Sequence, residues 1–149
     1  MQISSRFTVA VHVLLCIEAF KEDYKVTSDF LAGSVNVNPV VIRRILQQLK
    51  KAGLIKVKRG SGGTDIAKPL ETITMLDVYN AVECVEDGKL FHFHENPSQL
   101  CPVGKNIHAV LDGRLEEIQK AMEQKMKSIS MKDIMEDTQK LTEMSRSSS

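Results

Sequence analysis

Three features of the sequence predict a mainly α-helical chain with a small β-hairpin, a winged helix-turn-helix followed by a long C-terminal dimerisation helix. Between Val35 and Ala67, a segment with one apolar and one basic face runs into a short basic hairpin with a Gly-rich tip. The short segment DFLAGS stands one turn ahead of it, giving the order helix, turn, helix. From about Val103 to Lys127 an apolar stripe recurs at close to coiled-coil spacing.

The 149 residues suffice for one domain, or for a small domain with an appended assembly element. With 5% aromatic residues and no Trp, the core is expected to be aliphatic. No apolar run approaches the roughly 18 residues that cross a bilayer, and the N-terminus lacks the order of a signal peptide. A cytoplasmic protein without a membrane partner is therefore expected. Three cysteines, at 16, 84 and 101, do not make a disulfide framework.

In the first helix, capped by Ser4 or Ser5 and running to about Phe20, the expected core stripe is Val9, Val13, Cys16, Ile17 and Phe20. Ala10, Val11, Leu14 and Leu15 lie off that stripe, so the helix is expected to be covered on most sides. Cys16 and His12 read as a small core thiol and a packed or partly exposed imidazole. Thr27 or Ser28 caps the second helix. Asn38 caps the third with Pro39 at its first position, and Gly53 ends it.

Charge singles out this region. Over the whole chain the net is only +1, yet the first 70 residues hold 11 Lys+Arg against 5 Asp+Glu. From Phe30 through Thr64 there is no acid and there are seven basic residues. Such a half-chain is attracted to phosphate. In the third helix Ile42, Ile45, Leu46 and Leu49 form the buried face. Val40, Arg43, Arg44, Gln47, Gln48 and Lys51 lie opposite, and Arg and Gln are side chains that make paired hydrogen bonds to base edges in the major groove.

Leu54 to Arg59 alternates as a strand, Gly60-Ser61-Gly62-Gly63 turns, and Thr64 to Ala67 returns until Pro69. A Gly-rich tip lets backbone N–H groups approach phosphates closely, with Lys58 and Arg59 beside it. A nucleotide-cradling loop is excluded, because no GK[ST] follows and no helix opens there.

Thr74 to Asp77 is a capping box for a fourth helix reaching about Val85. Residues 86 to 102 are irregular. The long helix carries Ile107, Val110, Leu111, Leu115, Ile118, Met122 and Met126, and a second copy of the chain is the expected cover. Ser130 starts one more short helix, and the tail from Ser145 is expected to be disordered. The implied division is 1–85 for DNA binding, 86–102 as a sensor-type loop, 103–144 for dimerisation and 145–149 as tail.

In this order the residues resemble the Rrf-two family of bacterial winged-helix transcription regulators, in a subgroup without a cluster. The matching pieces are MQISSRFTVAVHVLL, NPVVIRRILQQLKKAGLIKVKRGSGG, PLETITMLDVYNAVE, the CPVG before the long helix, and SISMKDIM. The resemblance implies a dimer crossed over through the long helix. It also implies DNA contacts from Gln2, Ser4 and Ser5, from Asn38, Val40, Arg43, Arg44 and Gln47, and from Arg59, Ser61, Gly62 and Gly63, to which the basic Lys58 adds itself. Members that bind a 2Fe-2S cluster use three cysteines and a further ligand. Here Cys101 alone matches the last cysteine, Gly104 stands where one member has a His ligand, and Cys84 falls ahead of the usual loop. No cofactor and no metal are expected.

What remains for sensing is Cys84, His92, His94, Cys101 and His108, whose spacing matches no compact ligand motif. Cys101 lies before a helix whose N-terminus favours the reactive thiolate, and pairing with Cys84 is one route to redox sensing. The leading function is therefore a homodimeric DNA-binding regulator, a repressor by family habit, reading a pseudo-palindromic operator and answering an effector or redox signal. The alternatives are a winged-helix protein-interaction module without DNA and an iron-sulfur or metal-dependent regulator. No arrangement of nucleophile, base and orienting acid supports an enzyme.

Overall fold

The computed structural model describes residues 5–60, 62–83, 88 and 90–148. Three helices lead, α1 (Ser5–Phe20), α2 (Ser28–Val35) and α3 (Pro39–Lys51). The antiparallel pair β1 (Ile55–Val57) and β2 (Thr64–Ile66) follows, then a 3-10 turn at Leu70–Thr72. Helices α4 (Met75–Val82), α5 (Pro102–Lys127) and α6 (Met131–Ser147) complete the chain. The fold is thus the mainly helical winged arrangement that the sequence predicts.

The caps explain where the helices start and stop. The Thr27 hydroxyl accepts a hydrogen bond from Phe30 N at 3.2 Å, and Asn38 Oδ1 accepts one from Val40 N at 2.8 Å. Caps of this kind contribute about 1 kcal/mol each. Asn36 closes α2 in the left-handed conformation at φ 60°, which Asn tolerates. Gly53, at φ 78°, turns the chain out of α3 so that Leu54 N reaches Leu49 O at 3.0 Å.

The core forms around α1, where Ala10, Val13, Leu14 and Ile17 are completely buried. Of the expected stripe Val13, Cys16 and Ile17 are buried, while Val9 and Phe20 are only half-buried and Ala10 and Leu14 are central instead. The reason is tertiary: α2, α3, α4, β2 and α6 all pack on this helix, so it needs no single apolar face. In α3 Ile42, Ile45 and Leu49 are fully buried. Leu46, at the margin of the stripe, is half-buried.

Two helix boundaries differ from expectation. Helix α4 begins at the Thr74–Asp77 capping box but ends at Val82, short of Val85. Helix α6 begins at a second capping box, Ser130–Asp133, and runs 17 residues to Ser147, where a short helix and a tail from Ser145 were expected. Its start is tied to that of α4: Met75 N donates to Ile129 O at 2.8 Å and Met131 N to Ile73 O at 2.7 Å. Met131 is completely buried there. From that point α6 lies along the 3-10 turn and α1, not along α5.

Helix α5 is consequently left as an arm with no buried residue. Along it Ile107, Leu111, Leu115, Met122 and Met126 are half-buried, and the last two pack against the chain's own core. Met122, expected at a dimer interface, thus packs within its own chain, where α4 is the helix that contacts α5. Val103, Val110 and Ile118 remain 69%, 63% and 54% exposed.

Candidate nucleic-acid interface

The outward face of α3 is set by the same period that buries its inner face. Val40, Arg43, Arg44, Gln47 and Lys51 are exposed. Gln48 departs from this group: it is half-buried, and its Oε1 is buried without a hydrogen-bond partner among the described residues. Asn38 is exposed, but its carbonyl oxygen is already used in the cap, which leaves its NH2 group to donate elsewhere. Arg43 has an acid nearby after all. Asp29, one residue ahead of the acid-free stretch, approaches its guanidinium to 3.9 Å, both side chains being well exposed.

The wing is short because only three residue pairs form its ladder, Ile55 with Ile66, Lys56 with Asp65 and Val57 with Thr64. Lys58 N donates to Gly63 O at 2.7 Å and closes the tip. Gly60 and Gly62 take φ of 81° and 73°, which side chains rarely adopt. Arg59 is exposed beside them. Lys58, expected to face phosphate, is half-buried, and its ammonium donates one hydrogen bond to the carbonyl of Lys21 at 2.7 Å, at the end of α1. Lys21 in turn pairs with Glu18 at 3.1 Å and lies 3.9 Å from Asp65. The hydrogen bond to Glu18, with the charges of Glu18, Asp65 and Glu22, raises the Lys21 pKa against a smaller opposing effect of burial. The wing is therefore fastened to the first helix at its base.

Ser5 stands exposed in the first turn of α1. Gln2, Ser4 and Ser61, expected to touch DNA, lie outside the described residues, as does Cys84. Lys25 was missed by sequence reasoning, because it lies before the acid-free stretch among Glu22, Asp23 and Asp29. The fold nevertheless brings it against the tip of the wing.

Away from this face, Cys101 is the exposed N-cap residue of α5. The backbone N–H groups of Gly104 and Val103 favour its thiolate and hold its pKa below the usual thiol value. Cys16 is buried in α1, its sulfur 3.4 Å from the Ser34 hydroxyl, and His12 is exposed. His108 stacks on Phe93 with ring centres 4.1 Å apart, and His94 lies edge-on at 6.4 Å. Among the described residues no three His, Cys, Asp or Glu side chains are grouped to hold a metal ion. Gly104 cannot be exchanged for a ligand in place, since a Cβ there would meet Ser98 O at 2.6 Å.

Comparison with known proteins agrees with this arrangement. The model of the Rrf2 family, described as an iron-dependent transcriptional regulator, matches residues 3–137. YwnA of Bacillus subtilis (strain 168), described as an HTH-type transcriptional regulator, is 44% identical over 133 residues, 89% of this chain and 96% of its own. A crystal structure described as a DNA-binding protein is 40% identical, covers 88% of this chain and 99% of its own, and has a TM-score of 0.69. A transcriptional regulator from Lactobacillus plantarum, 25% identical, covers 97% and 99% with a TM-score of 0.72. With its recognition helix, its wing and these relatives, the chain belongs to the Rrf2 family of winged-helix, DNA-binding transcription regulators, which are not enzymes.

Proposed function

We propose that this regulator works as a homodimeric repressor on a pseudo-palindromic operator, and that oxidation of Cys101 changes its hold on DNA. The observation that carries the DNA part is the exposed row Arg43, Arg44 and Gln47 beside the wing. Two copies related by two-fold symmetry present two such rows about one helical turn of DNA apart. The dimer reading is supported by Val103, Val110 and Ile118. At about 100° per residue these lie within about 80° of one another on the open side of α5. An uncovered apolar strip of this kind matches the same strip on a second copy.

The sensing part is supported by the exposure and lowered pKa of Cys101, the conditions under which a thiol is a nucleophile. We further propose that no 2Fe-2S cluster is held. Protein purified without oxygen is then colourless, and iron bound in proportion to the chain would refute this. The central test is DNA affinity of the wild type and Cys101→Ser with and without hypochlorite, peroxide or diamide. The wild type is expected to respond and the variant to be indifferent. An equal response in both removes Cys101, and a response that persists only while Cys84 is present assigns it there instead.

A further inference from the structure

Lys58 spends one of its N–H groups on the end of α1, and a second cation reaches the wing from outside it. Lys25 lies in the loop between α1 and α2, and it is exposed. A Cβ built on Gly62 would stand 3.4 Å from both Cε and Nζ of Lys25, and one built on Gly63 would stand 3.5 Å from its Cγ. The side chain therefore runs along the wing backbone, with its stem at Gly63 and its ammonium at Gly62. These are van der Waals separations, so the stem lies in contact range of the wing backbone.

The loop is held in this place from both sides. Thr64 N donates to Val26 O at 2.9 Å, which fixes the backbone next to Lys25 to the wing. On the other side the Tyr24 ring packs at a tilt against Phe30, with centres 5.4 Å apart, and meets Phe20 edge-on at 5.9 Å. Among the described residues Lys25 makes no hydrogen bond or ion pair, in contrast to Lys21 and Lys58. An ammonium kept at the tip of a DNA-binding wing without an acid to neutralise it is free to meet phosphate.

We infer that Lys25 is a DNA-phosphate contact of this regulator, delivered to the wing across the side-chain-free surface of Gly62 and Gly63. The inference rests on the DNA-binding reading and adds to it a residue outside the helix-turn-helix and the wing. Such a contact carries no base information and releases about one counterion. Removing it flattens the salt dependence instead of altering sequence preference.

The test uses the full chain and a random-sequence DNA duplex, with affinity followed from 50 to 200 mM salt. Lys25→Met keeps most of the stem and removes the charge. Its slope of log affinity against log salt is expected to be shallower by about one per bound protomer. The affinity gap to wild type then shrinks about 3.5-fold per contact across that range. Lys25→Arg is expected to restore the wild-type slope, and both variants to melt with the wild type. A Lys25→Met slope equal to that of wild type overturns the inference while leaving DNA binding intact, and so does a loss of affinity accompanied by lower melting at unchanged slope. A wild type whose binding ignores salt would overturn both readings at once.

Discussion

Arg43 and Arg44 are neighbours in sequence with different surroundings. Asp29 approaches Arg43, whereas Arg44 has no ion pair among the described residues. Alanine at either is expected to weaken operator binding by about 1 to 3 kcal/mol where the side chain reads a base. Gel-shift titrations on operator and random duplex check this, since equal losses on both would make the residue a phosphate contact. Asp29→Asn frees Arg43 and should tighten random-duplex binding by less than about 1 kcal/mol, the pair being exposed. At Cys101 the two N–H groups favour the thiolate, so reactivity appears as pH rises through a value below that of an ordinary thiol. Iodoacetamide labelling against pH should show that early midpoint, and a profile like free cysteine would contradict it.

Among the elements, α3 was legible because everything that makes it is local. Asn38, Pro39 and Gly53 mark its ends, and Ile42, Ile45 and Leu49 repeat at its own period. In helix α1 the cover on most sides and the burial of Val13, Cys16 and Ile17 were legible, but the central place of Ala10 and Leu14 was not, since it depends on five other elements. The same limit applied to Lys58 and Lys25. Which lysine turns inward is decided by the end of α1 and by the Gly62–Gly63 surface, and neither is adjacent in sequence. The length of α6 was missed because its polar end looks like a tail, while its anchor, Met131, comes before any apolar stripe. Met131→Ala is expected to destabilise the chain by about 2 to 5 kcal/mol, measured by urea unfolding. The wing latch has a pH signature. The folded pKa of Lys21 is raised, so its contribution is fully present below the ordinary lysine range and is lost as pH climbs through the raised value. Glu18→Gln should reduce that alkaline loss, Asp65 and Glu22 remaining, and an unchanged alkaline melting curve would argue against a stabilising Lys21–Glu18 pair.

At the scale of the whole molecule, the open strip of α5 is expected to join two chains. Ile118→Glu places a charge in that strip, and sedimentation should then report monomers; a variant that still sediments as a dimer would move the interface elsewhere. The DNA-reading surface and the arm nonetheless share one fixed point, where the start of α4 meets the start of α6 through Thr74 and Ser130. There Ile73 and Met75, at the start of α4, are stitched to Ile129 and Met131, at the start of α6. The segment between is closed at residues 73–75 and 129–131, and Met122 and Met126 pack on the core as well, so changes confined to the outer turns of α5 leave the helix-turn-helix in register. A regulator built this way can exchange one chemical sense for another over evolutionary time while keeping its grip on DNA.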